Sequence, residues 1–211
     1  MKLLELVKMT DTERNSSWET QFFQALTESK LNLISAEPQT GPDGWPYLLV
    51  ETDANAQEPA QNIVRWLSEK GIGLAVNPRK EYPDYVFTYG MLWSFKETGY
   101  FFRPTQDKDN GQVQFDTDAL VHAGSPTEEY LPTYVRKVLT DFFRDQGLLR
   151  VKILLISTDR LNYDLAISLE SLGNPPESEH AGIAEAIGWF LPPHYSLILV
   201  SEKGLPSFFD L

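Results

Sequence analysis

Apolar positions along this chain come in blocks that alternate between the period of a helix and that of a strand, and this alternation predicts its elements. Trp18, Phe22, Ala25 and Leu26 fall on one helical face. Ser16 or Ser17 is expected to cap that helix, with Glu19 three residues after Ser16 as a capping box. Residues 31–35 read as a short strand, Gly41-Pro42-Asp43-Gly44 as a turn and 45–51 as a second strand. Residues 57–70 predict a helix with Pro59 in its first turn, where a missing N–H costs little, and Gly71 as its C-terminal cap. A buried strand over 73–77 is stopped by Pro78. The aromatic and β-branched run 85–89 predicts a strand that 90–95 either continues or leaves, and 99–102 a further strand ended by Pro104. The polar stretch 105–111 reads as a loop and 112–115 as a brief extended piece.

The second half opens at 122–132 with a turn that passes into a helix over 133–146. Its apolar stripe is Leu131, Tyr134, Val135, Val138, Leu139, Phe142 and Phe143. Strands over 151–157 and 163–170 follow, then a linker at 173–178, a helix over 179–190 with Ile183, Ala186, Ile187 and Phe190 aligned, and a strand over 195–200. No repeat of fixed period is present, yet both halves share a helix-strand-strand-helix-strand rhythm. The pattern predicts an α+β protein of two small domains, 1–117 and 118–211, each a mostly antiparallel sheet with helices packed on it.

Composition narrows the classes of function. The 211 residues carry a net charge of -12, which argues against nucleic acid as a partner because phosphates require a basic face. The longest basic hint is Pro78-Arg79-Lys80. There are no cysteines, which removes disulfides, thiolate metal sites and cysteine nucleophiles together. No stretch approaches the ~18 apolar residues of a membrane span. The first eight residues are apolar only in short runs and lack the pattern of a secretory signal. The expected location is cytoplasmic, so the glycosylation pattern Asn15-Ser16-Ser17 carries no weight.

Candidate chemistry is sparse. His122, His180 and His194 stand in separate elements without metal-ligand spacing. Ser125 and His122 are close enough in sequence to suggest a hydrolase pair, but no strained elbow exposes the serine, and Gly124-Ser125-Pro126 is explained by a turn. Asp107-Lys108-Asp109-Asn110-Gly111 departs from a calcium loop, with glycine at the fifth place rather than the sixth. Gly71-Ile72-Gly73 lacks the third glycine and the lysine of phosphate-binding loops. Glu128 and Glu129, like Glu177 and Glu179, stand where helix N-termini attract negative charge. No catalytic residue, cofactor or metal is expected.

What remains is an aromatic excess in the first half. Trp45, Tyr85, Tyr89, Trp93 and Phe95 form the candidate binding surface, because Trp and Tyr are typical interface anchors. The expected function is a non-catalytic protein-binding or regulatory module, with the second domain as scaffold or dimer surface. The alternative is a small-molecule sensor, for example of amino acids, with a pocket between the domains.

The run Phe22-Phe-Gln-Ala-Leu-Thr-Glu-Ser-Lys-Leu31, followed by a strand and then by Gly71-Ile-Gly-Leu-Ala-Val-Asn-Pro78, resembles the N-terminal domain of the SseB (enhanced serine sensitivity) family. Gly124-Ser-Pro-Thr-Glu128, Pro132 with its helix, the paired strands and the 191–209 ending resemble the C-terminal SseB domain. The resemblance covers the chain from about Ser17 onward. It implies a two-domain architecture, no established enzymatic activity and no transferable functional residue.

Overall fold

Two helix starts in this chain, at Asn15 and Thr88, are set by side chains that accept from otherwise unpaired N–H groups. The computed structural model describes residues 2–103 and 122–211 and divides the chain into two units, Met1–Phe101 and Phe102–Leu211. The first unit begins with α1 (Leu3–Leu6), a single 3₁₀ turn over Asp11–Glu13 and α2 (Ser16–Thr27). The cap of α2 is Asn15 rather than either serine, its side-chain oxygen accepting from the N–H groups of Ser17 and Trp18 at 3.0 Å each. The predicted stripe Trp18, Phe22, Ala25 and Leu26 is buried throughout.

The strands that follow are β1 (Lys30–Leu33), β2 (Gln39–Thr40), β3 (Pro46–Glu51), β4 (Glu58–Pro59), β5 (Gly73–Val76) and β6 (Tyr85–Phe87). They lie in the order β4-β1-β3-β5-β6, with β2 also on β3. Every pairing is antiparallel except β3 with β5, which run parallel and are connected through α3 (Ala60–Leu67). The ring of Tyr47 lies over Gly73, where a Cβ would sit 2.5 Å from that ring and 2.7 Å from the Phe87 carbonyl.

The strand expected over 85–89 is shortened by a helix, and the strand expected over 99–102 is absent. Only Tyr85–Phe87 is extended, and the chain then enters α4 (Tyr89–Thr98). Thr88 starts the helix by accepting from the Met91 N–H, and Gly99, at φ 78, ends it in the left-handed conformation that glycine adopts without strain. Residues 99–102 therefore form the exit from α4 and not a strand.

The second unit contains β7 (His122–Gly124), α5 (Thr133–Asp145), β8 (Lys152–Ser157), β9 (Asp164–Ser168), α6 (Glu177–Gly188), β10 (Ser196–Val200) and β11 (Phe209–Asp210). Its sheet runs β10-β9-β8-β11, with β7 also on β8. Again one pairing is parallel, β9 with β10, joined through α6. The register places Leu154, Ile156 and Ala166 on one face, packed with Ala123, Ile198, Val200, Leu205 and Phe208. Ile153, Leu155, Leu165 and Ile167 are buried on the other. Phe142 of α5 meets Phe190, just beyond α6, with ring centroids 4.7 Å apart.

The rhythm shared by the two halves is thus a shared topology. In α2-β1-β3-α3-β5 and in α5-β8-β9-α6-β10, the first two strands pair antiparallel and the third returns parallel to the second. Both units are α+β with mostly antiparallel mixed sheets. The expected boundary at 117/118, the loop 105–111, the extended piece 112–115 and the Asp107–Gly111 run lie outside the described residues. Among those described, no helix is long and apolar enough to cross a membrane.

Candidate functional site

Of the five residues of the candidate aromatic surface, two are buried and three are half-buried. Tyr89 and Trp93 are 0% and 2% exposed, because α4 is buried over six consecutive residues, Tyr89 to Ser94. The Tyr89 hydroxyl donates to the Ser68 carbonyl at 2.8 Å, and burial raises its pKa well above the ordinary phenol range. Tyr85 is half-buried, stacked on Phe22 at 5.5 Å, and donates to Glu19 at 2.6 Å. Burial first, and then that hydrogen bond, push its phenol well above the usual range. Phe95 is half-buried and stacked on Phe101 at 4.6 Å. Trp45 is half-buried as well. These rings are mostly core, where their large apolar area stabilises most.

The densest polar cluster of the first unit went unnoticed in the sequence. Asp84, its side chain 1% exposed, receives Arg14 at 2.6 Å, Lys80 at 2.6 Å and the Asn77 amide at 2.5 Å. Lys80 also donates to the Val7 carbonyl at 2.9 Å, and Arg14 donates to the Met9 carbonyl at 3.2 Å. The Arg14 guanidinium lies 4.8 Å from the Trp18 ring centroid, whose indole N–H donates to Leu6. Asn77, at φ 53, accepts the Thr52 N–H at 2.8 Å. A buried carboxylate held by two cations and an amide needs no ligand to satisfy it. The cluster fastens residues 2–14 to the β5–β6 turn, and no sequence motif joins residues 70 apart.

The acid–base candidates resolve into structural roles. Ser125 donates to the Pro126 carbonyl at 3.4 Å, while His122 sits edge-on to Tyr163 at 5.6 Å, and no hydrogen bond joins the two. Glu128 accepts the Thr133 N–H and hydroxyl at 2.7 Å each. The backbone hydrogen bond, then the hydroxyl, hold its carboxyl below the ordinary range, the opposite of what a general acid needs. Asp159 closes the β8–β9 turn by accepting from Asn162 and Leu161, which lower its pKa to about 2. Among the described residues, no group of three histidine, aspartate or glutamate side chains could hold a metal ion. A cleft of about 190 Å³ beside Phe143, Arg150 and Leu211 falls short of the ~300 Å³ at which small-molecule pockets begin.

One feature distinguishes the two units. In the first, the outer edge of β5 is covered by β6, with Leu74, Ala75 and Val76 opposite Phe87, Val86 and Tyr85. In the second, the corresponding strand β10 has no strand on its outer edge among the described residues. The Val200 carbonyl accepts from the N–H of Leu169, the residue just after β9, at 2.9 Å. Backbone groups alternate along a strand, so those of Leu197 and Leu199 point away from β9 to the open side. The segment Ser196-Leu-Ile-Leu-Val200 holds none of the lysine, proline or inward charge that blunts sheet edges. The other sheet edges are short: β4 spans two residues and carries Pro59, β6 spans three, and β7 and β11 span three and two.

No protein-family model, curated protein or solved structure matches this chain, so its reading rests on the two units and the open edge of β10.

Proposed function

We propose that this chain is a non-catalytic protein-binding module that takes up a strand of its partner on the outer edge of β10. The observation that carries the reading is the uncharged edge at Leu197 and Leu199, which pairs with no strand among the described residues, in a position that β6 fills in the first unit. Strand addition gives affinity through main-chain hydrogen bonds and specificity through alternate side chains. It replaces recognition by aromatics around Trp93, a residue that is 2% exposed. An SseB-like assignment and a cytoplasmic setting are part of the same proposal.

The test is affinity purification from the native host with the wild-type chain and with Leu199→Pro, which deletes one outward N–H. Loss of the recovered partners in a variant that retains its far-ultraviolet circular dichroism supports strand addition. Recovery of the same partners at the same level by both chains rejects it.

A further inference from the structure

We infer that the first sheet carries a docking site for an extended apolar segment of a partner protein, on the face turned away from α2, at Ile34, Leu49, Ala75 and Val86. This site is separate from the edge of β10 and stands whether or not that edge takes up a strand.

Strand register fixes the two faces of the sheet. Leu48, Val50, Leu74, Val76, Tyr85 and Phe87 lie on one of them. Phe22 of α2 packs there, with its ring centroid 5.5 Å from Tyr85 and 6.4 Å from Phe87. Side chains alternate along a strand, so Leu49, Ala75 and Val86 point to the other face, in one row across β3, β5 and β6. Ile34 extends the row just beyond β1, its N–H donating to the Leu49 carbonyl at 3.0 Å. The Tyr47 ring over Gly73 bounds the row at one end, and Glu51, paired with Arg79 at 3.1 Å, bounds it at the other.

The second unit shows what such a row takes. Leu154, Ala166 and Ile198 stand in β8, β9 and β10 where Ile34, Leu49 and Ala75 stand relative to β1, β3 and β5. Leu205 and Phe208, from the segment after β10, pack on that row. Beneath them Leu154 and Ala166 are 0% exposed. In the first unit their counterparts Ile34 and Leu49 are only half-buried, and Val86 is 40% exposed. The same strand order offers the same apolar row on the same face, so the occupant is of the same kind: an extended stretch with two large apolar side chains spaced as Leu205 and Phe208 are. Charge narrows it further. A chain of net charge -12 favours a neutral or basic segment, and the run Lys203-Gly-Leu-Pro-Ser-Phe208 carries a lysine and no acidic residue. Two apolar anchors make a transient contact rather than a permanent interface.

The test adds a synthetic peptide of the sequence Lys203–Phe208 to the full chain, whose second unit already holds its own copy of that segment, and follows backbone amide chemical shifts. Saturable shifts centred on Ile34, Leu49, Ala75 and Val86 are expected, half-complete below about 1 mM. Val86→Lys alters an exposed position, so it should keep the far-ultraviolet spectrum of the wild type while weakening the peptide about tenfold or more. A peptide carrying Leu205→Ser and Phe208→Ser should lose binding to the unaltered chain to a similar extent. Shifts that fail to saturate by about 1 mM overturn the inference. So do shifts confined to Leu154, Ile156 and Ala166, where the peptide would merely exchange with the chain's own segment, and so does binding that Val86→Lys leaves unchanged.

Discussion

At the scale of single residues, the chain keeps its costliest polar arrangement away from any chemistry. Asp84 is buried with two cations whose exposure differs, Arg14 at 16% and Lys80 at 45%. Removing a partner from a buried pair costs about 3–5 kcal/mol, whereas an exposed partner contributes about 0–1 kcal/mol. Arg14→Ala should therefore lower the urea midpoint much more than Lys80→Ala. Equal effects would mean that the cluster acts through Lys80 and its bond to Val7. Tyr130 presents the opposite case. Its hydroxyl is buried without a hydrogen-bond partner among the described residues, while its ring stacks on Tyr195 at 4.4 Å. Tyr130→Phe deletes the unsatisfied group and keeps the ring, so the melting temperature should hold or rise. None of these roles shows in the sequence, since the burial of an aspartate is decided by residues far away along the chain.

At the scale of elements, legibility follows amphipathicity. The stripes of α2 and α5 declare themselves because one side of each helix faces solvent and the 3.6 period survives. Helix α4 is invisible to that reading: buried from Tyr89 to Ser94, it has no polar face, and its aromatic and β-branched surroundings favour strand by propensity. Its start and stop, Thr88 and Gly99, were the available signal. The close approach at Gly73 was likewise hidden. Gly73→Ala should destabilise by about 1–3 kcal/mol in chemical denaturation, since the new methyl meets the Phe87 carbonyl as well as a ring. The β8–β9 turn should respond to acid. Asp159 has its folded pKa lowered to about 2, so its contribution is complete above the unfolded value, near 3.8, and is lost as pH falls toward 2. Amide exchange at Leu161 and Asn162 should accelerate across that window and follow no such course in Asp159→Ala.

At the scale of the whole molecule, the sequence disclosed a repeated order of elements but not which sheet edge lacks a strand among the described residues. Element order is written in periodicity, whereas edge occupancy depends on strand order, which periodicity does not encode. The aromatic excess of the first half misled for a related reason: composition counts rings without saying which face solvent. The charge of -12 acts globally, opposing compaction by self-repulsion. Melting temperature should therefore rise as salt is raised toward ~0.15 M, where the screening length falls to about 8 Å. The fastening of residues 2–14 to Asp84 also sets an order of events during synthesis. Arg14 leaves the ribosome 70 residues before its partner, and at about 5–20 residues per second that interval lasts roughly 4–14 s. For that time the segment before α2 lacks its tie to Asp84, so the start of the chain is the last part of the first unit to be fastened.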